Sequence, residues 1–214
     1  MKLRYTPIKD YVHTVEAVVT HTGTKDKLEL VPTVPFPWDE GLATDNPLNT
    51  VPAVQMPDGE PVIGGPVIYE LLDTLHNGHK LFPQASDWEA VRVRRVLWMA
   101  DGLFDAFVKV IIESWIPRED QRQDYIDRQV TKMNRVCDQL NKDVAWFADA
   151  LDIGQVRAVG SLQFVDLKIA DLGTKVGGLP SSWNWRDDRP ELAAWFDATS
   201  PNPIFQTNLL PPPA

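Results

Sequence analysis

The chain of 214 residues carries a formal charge of −9, with 30 acidic side chains against 21 basic ones. Its hydrophobic content of 43% and charged content of 24% are those of a soluble globular protein with ample length for a core. The negative balance argues against nucleic acid and anionic membranes as partners, and no run approaches the about 18 apolar residues of a membrane span.

One cysteine, Cys137, excludes an intrachain disulfide and a thiolate metal cluster, and the simplest expectation is a reducing compartment, the cytoplasm. The opening MKLRYTPIKDYV has no apolar stretch of the kind a signal peptide carries. The histidines, His13, His21, His76 and His79, lack the spacing of a convergent ligand set, so no metal site is expected.

In chain order, Lys2 to Thr6 alternates Leu3 and Tyr5 with polar neighbours, as a half-buried strand does. A helix follows, with Asp10 as a possible cap, Val12, Val15 and Val19 on one face, and Gly23 at its end. Lys27 to Val31 alternates again, and a proline-rich loop comes next. Two short apolar runs, VPAVQM and EPVI, flank Pro57-Asp58-Gly59, a hairpin signal. The helix PVIYELLDTLHNG closes the first half, and NGHKLFPQASD reads as a linker.

The second half is helical. Trp88, Val91, Val96, Met99, Leu103, Phe107 and Ile111 keep helical spacing from Trp88 to Trp115. Ile126, Val130, Met133, Cys137, Leu140, Val144, Phe147 and Leu151 alternate steps of four and three, which predicts one long helix with a narrow seam. Cys137 on that seam reads as a small buried core residue. VDLKIADLGTKVGG reads as a shorter helix and RPELAAWFDAT as the last, with Pro190 in its first turn. The predicted class is α+β: a thioredoxin-like β-α-β-β-β-α domain over residues 1–78, then an all-α domain over residues 86–214.

That pairing, together with NPLNTVPAVQMPDGEPVIGGPVIYELLD, LRYTPIKDYVHTVEAVV, FVDLKIADLG and RPELAAWFDATSPNPIFQ, resembles the cytosolic glutathione transferase superfamily over essentially the whole chain. The resemblance implies a homodimer that uses glutathione as thiol cosubstrate on a small hydrophobic electrophile. It implies a cis peptide before Pro52, with the Val51 backbone pairing with the cysteinyl part of glutathione.

The resemblance also places a thiolate-stabilising donor after the first strand, where a lowered thiol pKa makes the nucleophile. The position that usually carries a catalytic Ser or Cys is Lys9 here. Thr6 offers a hydroxyl at the strand end, and Lys9 is either a cation for the thiolate or a solvated lysine. With no cysteine in this segment, thiol-transfer chemistry of the glutaredoxin type is disfavoured.

Similar proteins carry an acidic residue and a serine where Gly64 and Gly65 stand, and a basic residue where Thr50 stands. Gly65 keeps the backbone N–H groups and the helix dipole that take a carboxylate, but it lacks the hydroxyl. A hydrogen bond to a charged group contributes roughly 1.5–3 kcal/mol, so its loss weakens binding roughly 10- to 150-fold.

For the electrophile, the resemblance points to Tyr11 and to the first long helix of the second half, with Trp98, Met99, Phe104 and Trp115. The alternative for these is plain core packing. Asp101 and Asp105 are candidates for the glutathione amine or simply solvated charge. Gln163 and Asp166 resemble a capping box that serves folding. Because the departures fall on the glutathione site, two readings stay open. One is a glutathione-dependent enzyme. The other is the same fold with a degenerate glutathione site, used as a non-catalytic ligand-binding protein or as a glutathione-independent isomerase or dehydratase.

Overall fold

The computed structural model describes residues 1–6, 14–35, 38–85, 87–176, 179 and 182–206. Within them, packing groups Met1–Gln84 with residues 202–206 as one compact unit and Ala85–Pro201 as a second.

The first unit is built on a four-stranded sheet of order β2-β1-β3-β4. Strand β1 (Lys2–Tyr5) lies parallel to β2 (Glu29–Pro32) and antiparallel to β3 (Ala53–Gln55), and β3 is antiparallel to β4 (Pro61–Ile63). The alternation of β1 is real: Leu3 and Tyr5 are buried, with Lys2 and Arg4 half-buried between them. The β3–β4 connection closes as Gly59 N–H donates to Met56 O, with Gly59 at φ +92, a conformation that glycine takes without strain.

Helix α1 (Thr14–Thr22 over the described residues) buries Val15, Ala17, Val18 and Val19 and packs on α3 (Gly65–Thr74). The expected Asp10 cap and Val12 lie outside the described residues. After the second unit, the turn Pro203–Phe205 packs against α1, with Phe205 buried.

Part of the stretch expected to be loop is helical. Helix α2 (Glu40–Asp45) starts at Asp39, whose carboxylate accepts the Leu42 N–H as an N-cap. It ends on the buried Asp45, which pairs with Lys2 at 2.7 Å and with Arg4, and so ties α2 to β1. Burial disfavours charge on Asp45, but these two cations hold its pKa below the ordinary carboxylate value.

The far end of α3 is well tied. The Asp73 carboxylate accepts from the backbone N–H groups of Leu81 and Phe82, both at 3.0 Å, and from His76 Nε2 at 3.0 Å. Lys27 donates to Leu75 O, and Lys80 to the carbonyls of Asp73 and His76. Leu81 and Phe82 are buried, so the start of the expected linker is anchored core rather than loose chain.

In the second unit, α4 (Trp88–Glu113) packs against both α5 (Gln123–Asp143) and α6 (Ile153–Lys175), and α7 (Pro190–Thr199) packs on α5. The α5 seam buries Ile126, Met133, Cys137 and Leu140. It does not continue to Leu151 as the spacing suggested. The helix stops at Asp143, a single 3-10 turn follows over Val144–Trp146, and Phe147 lies beyond it against Trp195 at 5.0 Å between ring centroids. Aromatic packing near α7 overrides the heptad-like pattern at this point.

Helix α6 begins a dozen residues before the expected VDLKIADLG helix. Its capping box is Asp152 and Gln155, not Gln163 and Asp166. The latter two sit within the helix, where Asp166 takes Trp185 Nε1 at 2.7 Å and both ends of the Arg186 guanidinium at 2.9 and 2.8 Å. Gly154 lets α6 approach α4: a Cβ there would stand 2.8 Å from Val93 O and 2.9 Å from Val96 Cβ.

Candidate functional site

Strand direction gathers most of the described candidates in the first unit at one end of the sheet. β1 and β3 pair Arg4 with Ala53, and β3 and β4 pair Ala53 with Ile63. Thr6 directly follows β1, the Val51–Pro52 peptide leads into β3, and Gly64 directly follows β4 and opens α3. The parallel β1–β2 register sets Thr6 beside Thr33. The end of β1, the start of β3 and the end of β4 therefore share one end of the sheet, and α3 starts from it.

Each of these positions has a definite setting. Thr6 Oγ1 donates to Thr33 O at 2.9 Å, so its single proton is committed there, and donating to a thiolate requires that bond to break. Tyr5, one residue earlier, is buried; burial foremost, and then the Glu16 carboxylate, raises its phenol pKa and keeps it neutral.

The Val51–Pro52 peptide is cis. The loop before it is braced by Asn46, whose Nδ2 donates to Thr50 O at 2.7 Å and to Thr50 Oγ1 at 3.1 Å, while its Oδ1 accepts from Leu48 N. Thr50 thus binds its own loop with both oxygens. Asn49, at φ +51, is buried and donates to Pro35 O at 3.3 Å. Lys9 and Tyr11 lie outside the described residues.

The start of α3 is bare of side-chain caps. Gly64, at φ +86, is the N-cap and makes no side-chain cap bond, and the first turn has no acidic residue. The N–H groups of Val67 and Ile68 both return to Gly64 O at 3.1 Å, and Pro66 has no N–H. Helix geometry leaves the Gly65 N–H without an intrahelical acceptor, at the positive end of the helix dipole. A Cβ on Gly64 would meet nothing within 4 Å. The residues present therefore fit a carboxylate through the backbone, and they offer no acidic partner for an ammonium at positions 64 and 65.

The position of Tyr69 was not foreseen in the sequence. A Cβ on Gly65 would stand 2.7 Å from the Tyr69 hydroxyl oxygen and 2.9 Å from its Cζ. The available signal was the four-residue spacing of Gly65 and Tyr69 on one helix.

The remaining candidates belong to the second unit. Asp101 Oδ1 takes Arg157 Nε and Nη2, each at 2.8 Å, and the Arg157 guanidinium stacks 4.4 Å from the Phe104 ring centroid. Asp101 is therefore an ion-pair partner rather than a solvated charge, and Phe104 is part of the packing. Asp105 pairs with Lys109 one turn along the surface of α4. Trp98 is 74% exposed and Trp115, just past the end of α4, is 60% exposed. Neither tryptophan is core.

Cys137 is buried, and burial pushes its thiol up to about 12, so it stays protonated. Among the described residues, no group of three or more His, Cys, Asp or Glu side chains could hold a metal ion, and no helix is long and apolar enough to cross a membrane. His21 lies 5.6 Å from His76 and 6.0 Å from His79 between ring centroids, and its Nε2 is 2.8 Å from His79 O.

Residues 10–75 match the family described as "Glutathione S-transferase, N-terminal domain". The chain is 30% identical over 142 residues to the uncharacterized GST-like protein YibF of Escherichia coli (strain K12), covering 64% of this chain and 70% of that one. The chain belongs to the glutathione S-transferase superfamily. A glutathione transferase family member from Pseudomonas fluorescens Pf-5, solved with bound glutathione, superposes with a TM-score of 0.84 at 28% identity over 100% of this chain and 99% of its own. Another structure of a transferase family member from that organism, with bound S-(propanoic acid)-glutathione, gives 0.80 at 27% identity over 100% of both chains. A glutathione transferase from Methylobacillus flagellatus shares the fold, with a TM-score of 0.81 at 24% identity over 96% of each chain. The fold is that of the superfamily: a mixed four-stranded sheet unit followed by a helical one.

Proposed function

We propose that this protein is a glutathione-dependent transferase acting on a small, largely apolar electrophile. The observation that supports the reading is that Thr6, the cis Val51–Pro52 peptide and the uncapped start of α3 all follow or precede strands at the same end of the sheet. The relative from Pseudomonas fluorescens with bound glutathione supports the choice of thiol.

In this reading the Gly65 N–H takes the γ-glutamyl carboxylate and the Val51 backbone takes the cysteinyl part. Thr50 and Pro52 shape the loop, and Gly64 keeps the approach open. Lys9 stabilises the thiolate as a cation. Thr6 contributes by releasing its bond to Thr33 O and turning its hydroxyl to the sulfur. The thiol proton passes to solvent, the sulfur forms a bond to the electrophilic carbon, and the leaving group departs with its electron pair. Tyr11 offers apolar surface to the electrophile. The setting is the cytoplasm, in keeping with a lone buried cysteine.

Calorimetric titration with glutathione, together with a conjugation assay on a generic aryl halide, tests this. Binding at millimolar glutathione and turnover are expected. No binding at that concentration overturns the reading in favour of a glutathione-independent use of the fold. Thr6→Val and Lys9→Ala then assign the donor: the variant that raises the pKa of bound thiol identifies it, and an unchanged value in both removes both residues from the mechanism.

A homodimer is part of the same proposal. Helix α4 leaves Trp88, Val91, Trp98 and Ile112 exposed, apolar side chains that a second copy of the chain would cover. Light scattering on the eluting protein should give twice the chain mass, and Trp98→Glu should halve it.

A further inference from the structure

We infer that the outer face of α4 is where two copies of this chain pair, antiparallel and centred on Ala100, so that Trp98 of each copy seats over Gly102 of the other. This rests on the homodimer proposed above and gives it a register.

Gly102 lies in the interior of a 26-residue helix, where only proline is a weaker helix former than glycine. Nothing within the chain calls for a glycine there. Its φ is not positive, and a Cβ on it would meet nothing within 4 Å. It therefore differs from Gly154, which a neighbouring helix requires. Gly102 is exposed, so the gap it leaves opens outward from α4. A bare glycine at the centre of an exposed helix face is a hole that the chain itself does not fill.

The same face carries what would fill it. A line of side chains runs from Trp88 to Ile112 in alternating steps of three and four, the spacing that turns one seam of a helix toward a partner helix. Its members are exposed except for the half-buried Lys109. Reversing the helix about Ala100 lays this line on itself. Trp88 then faces the partner's Ile112, Val91 the partner's Lys109, Arg95 the partner's Asp105 and Trp98 the partner's Gly102. Every contact occurs twice, as a two-fold interface demands.

The four pairings are chemically matched. Apolar meets apolar at the ends, and valine meets the aliphatic stem of lysine. Arginine meets aspartate, and at the centre the largest side chain meets the smallest residue. Trp98 is the most exposed of the large apolar side chains, at 74%, and Gly102 gives its ring a place where the helices approach closely. Arg95 keeps its bridge to Asp143 at 2.7 Å and still has 43% of its side chain exposed for a second carboxylate. Asp105 pairs in the single chain only with Lys109 on the surface, an exposed pair of the kind that contributes little.

Other arrangements of the same face are worse. A parallel pair would set Arg95, Asp105 and Lys109 each against its own like charge. An antiparallel pair slid by one heptad would set Trp88 against Asp105 and leave Lys109 and Ile112 without a counterpart. The charges thus choose a second copy in one direction and one register.

Cysteine cross-linking on the full-length protein reads that register. The double variant Val91→Cys with Lys109→Cys should give disulfide-linked dimers under a copper–phenanthroline oxidant, because the two introduced thiols face each other between copies. Neither single variant should cross-link, since each position then lies about 27 Å along the helix axis from its own copy. Cys137 is buried and adds no background. Gly102→Leu should raise the dimer dissociation constant at least about 10-fold while the chain stays folded, as leucine is the better helix former and the space around position 102 is open. Should the double variant fail to fold, Gly102→Leu carries the test by itself. Wild-type protein that dimerises, with no cross-link in the double variant, with cross-links in a single variant, or with Gly102→Leu within twofold of it, overturns this pairing and leaves the homodimer standing. Wild-type protein of single-chain mass throughout a dilution series overturns both. Glutathione titration reports separately on the transferase reading, so its failure is told apart from either.

Discussion

Asp152 and Gln155 exchange hydrogen bonds across the first turn of α6: the Gln155 N–H donates to Asp152 Oδ1 at 2.9 Å, and the Asp152 N–H donates to Gln155 Oε1 at 3.0 Å. The same glutamine donates through Nε2 to Ala148 O, so the cap also fixes the chain that enters the helix. Asp152→Ala should destabilise the protein by about 0.5–2 kcal/mol, read as a lower midpoint in urea with an unchanged slope. An unchanged midpoint would show that α6 is held by its buried face alone.

Gly154, two residues on, sets how closely α6 meets α4. A methyl group there would press against Val93 O, a backbone atom that cannot rotate away, and against Val96. Gly154→Ala adds helix propensity but overpacks the interface, and overpacking costs about 1–3 kcal/mol. The expected outcome is a melting temperature lower by roughly 2–4 °C per kcal/mol. A higher melting temperature would mean that the two helices separate at little cost.

Asp73 should make stability depend on pH at the acid end. Burial works against its charge, but the bonds from His76, Leu81 N and Phe82 N outweigh burial and hold its folded pKa below the ordinary value. A carboxylate depressed in the folded state contributes stability that is fully present above the unfolded pKa of about 3.9 and is lost as pH falls through the folded pKa. Chemical denaturation of wild type and Asp73→Asn should show a constant gap from neutrality down to about pH 5. The gap should shrink only at pH values lower than about 4. A gap that closes near neutrality would contradict the assignment.

Cys137 should be chemically silent in the native protein. A thiol raised to about 12 presents almost no thiolate near neutral pH. An aromatic disulfide reagent should leave it unmodified until denaturant is added, and then titrate one thiol per chain. Stoichiometric modification of the folded protein would refute this. The corollary is that thiol chemistry in an activity assay comes from the added thiol.

The sequence disclosed elements that local rules decide. Alternation in Lys2–Tyr5, the Asp58-Gly59 turn and the Gly64-to-Pro66 helix start each carry their signal within a few residues, and all three are found. It was silent where distant packing decides. Val144, Phe147 and Leu151 continue a perfect helical spacing, yet the chain leaves the helix at Asp143 to pack Phe147 on Trp195. The Gln163–Asp166 pair looked like a cap because spacing alone cannot tell a helix start from its interior. The start was marked instead by Asp152 and Gln155, a capping pair three residues apart that opens the run Ile153, Val156 and Val159. At the candidate site, the glycine pair that opens α3 was legible in the sequence. The Tyr69 hydroxyl above Gly65 became visible only in three dimensions, although helical periodicity already placed the two residues on one face.

Helix α3 ends in two different electrical conditions. At its carbonyl end, the ammonium groups of Lys27 and Lys80 are bound directly to exposed peptide oxygens, so the negative pole is quenched on site. At the other end, about 15 Å away at the α-helical rise, the first turn has neither an acidic nor a basic side chain. That separation exceeds the screening length of about 8 Å in physiological salt, so the two lysines scarcely reach it. An anion held at Gly65 is thus gripped by peptide dipoles that do not titrate. Its affinity should follow the protonation of the anion itself, while the helix that holds it keeps the same polarity across the pH range in which the protein is folded.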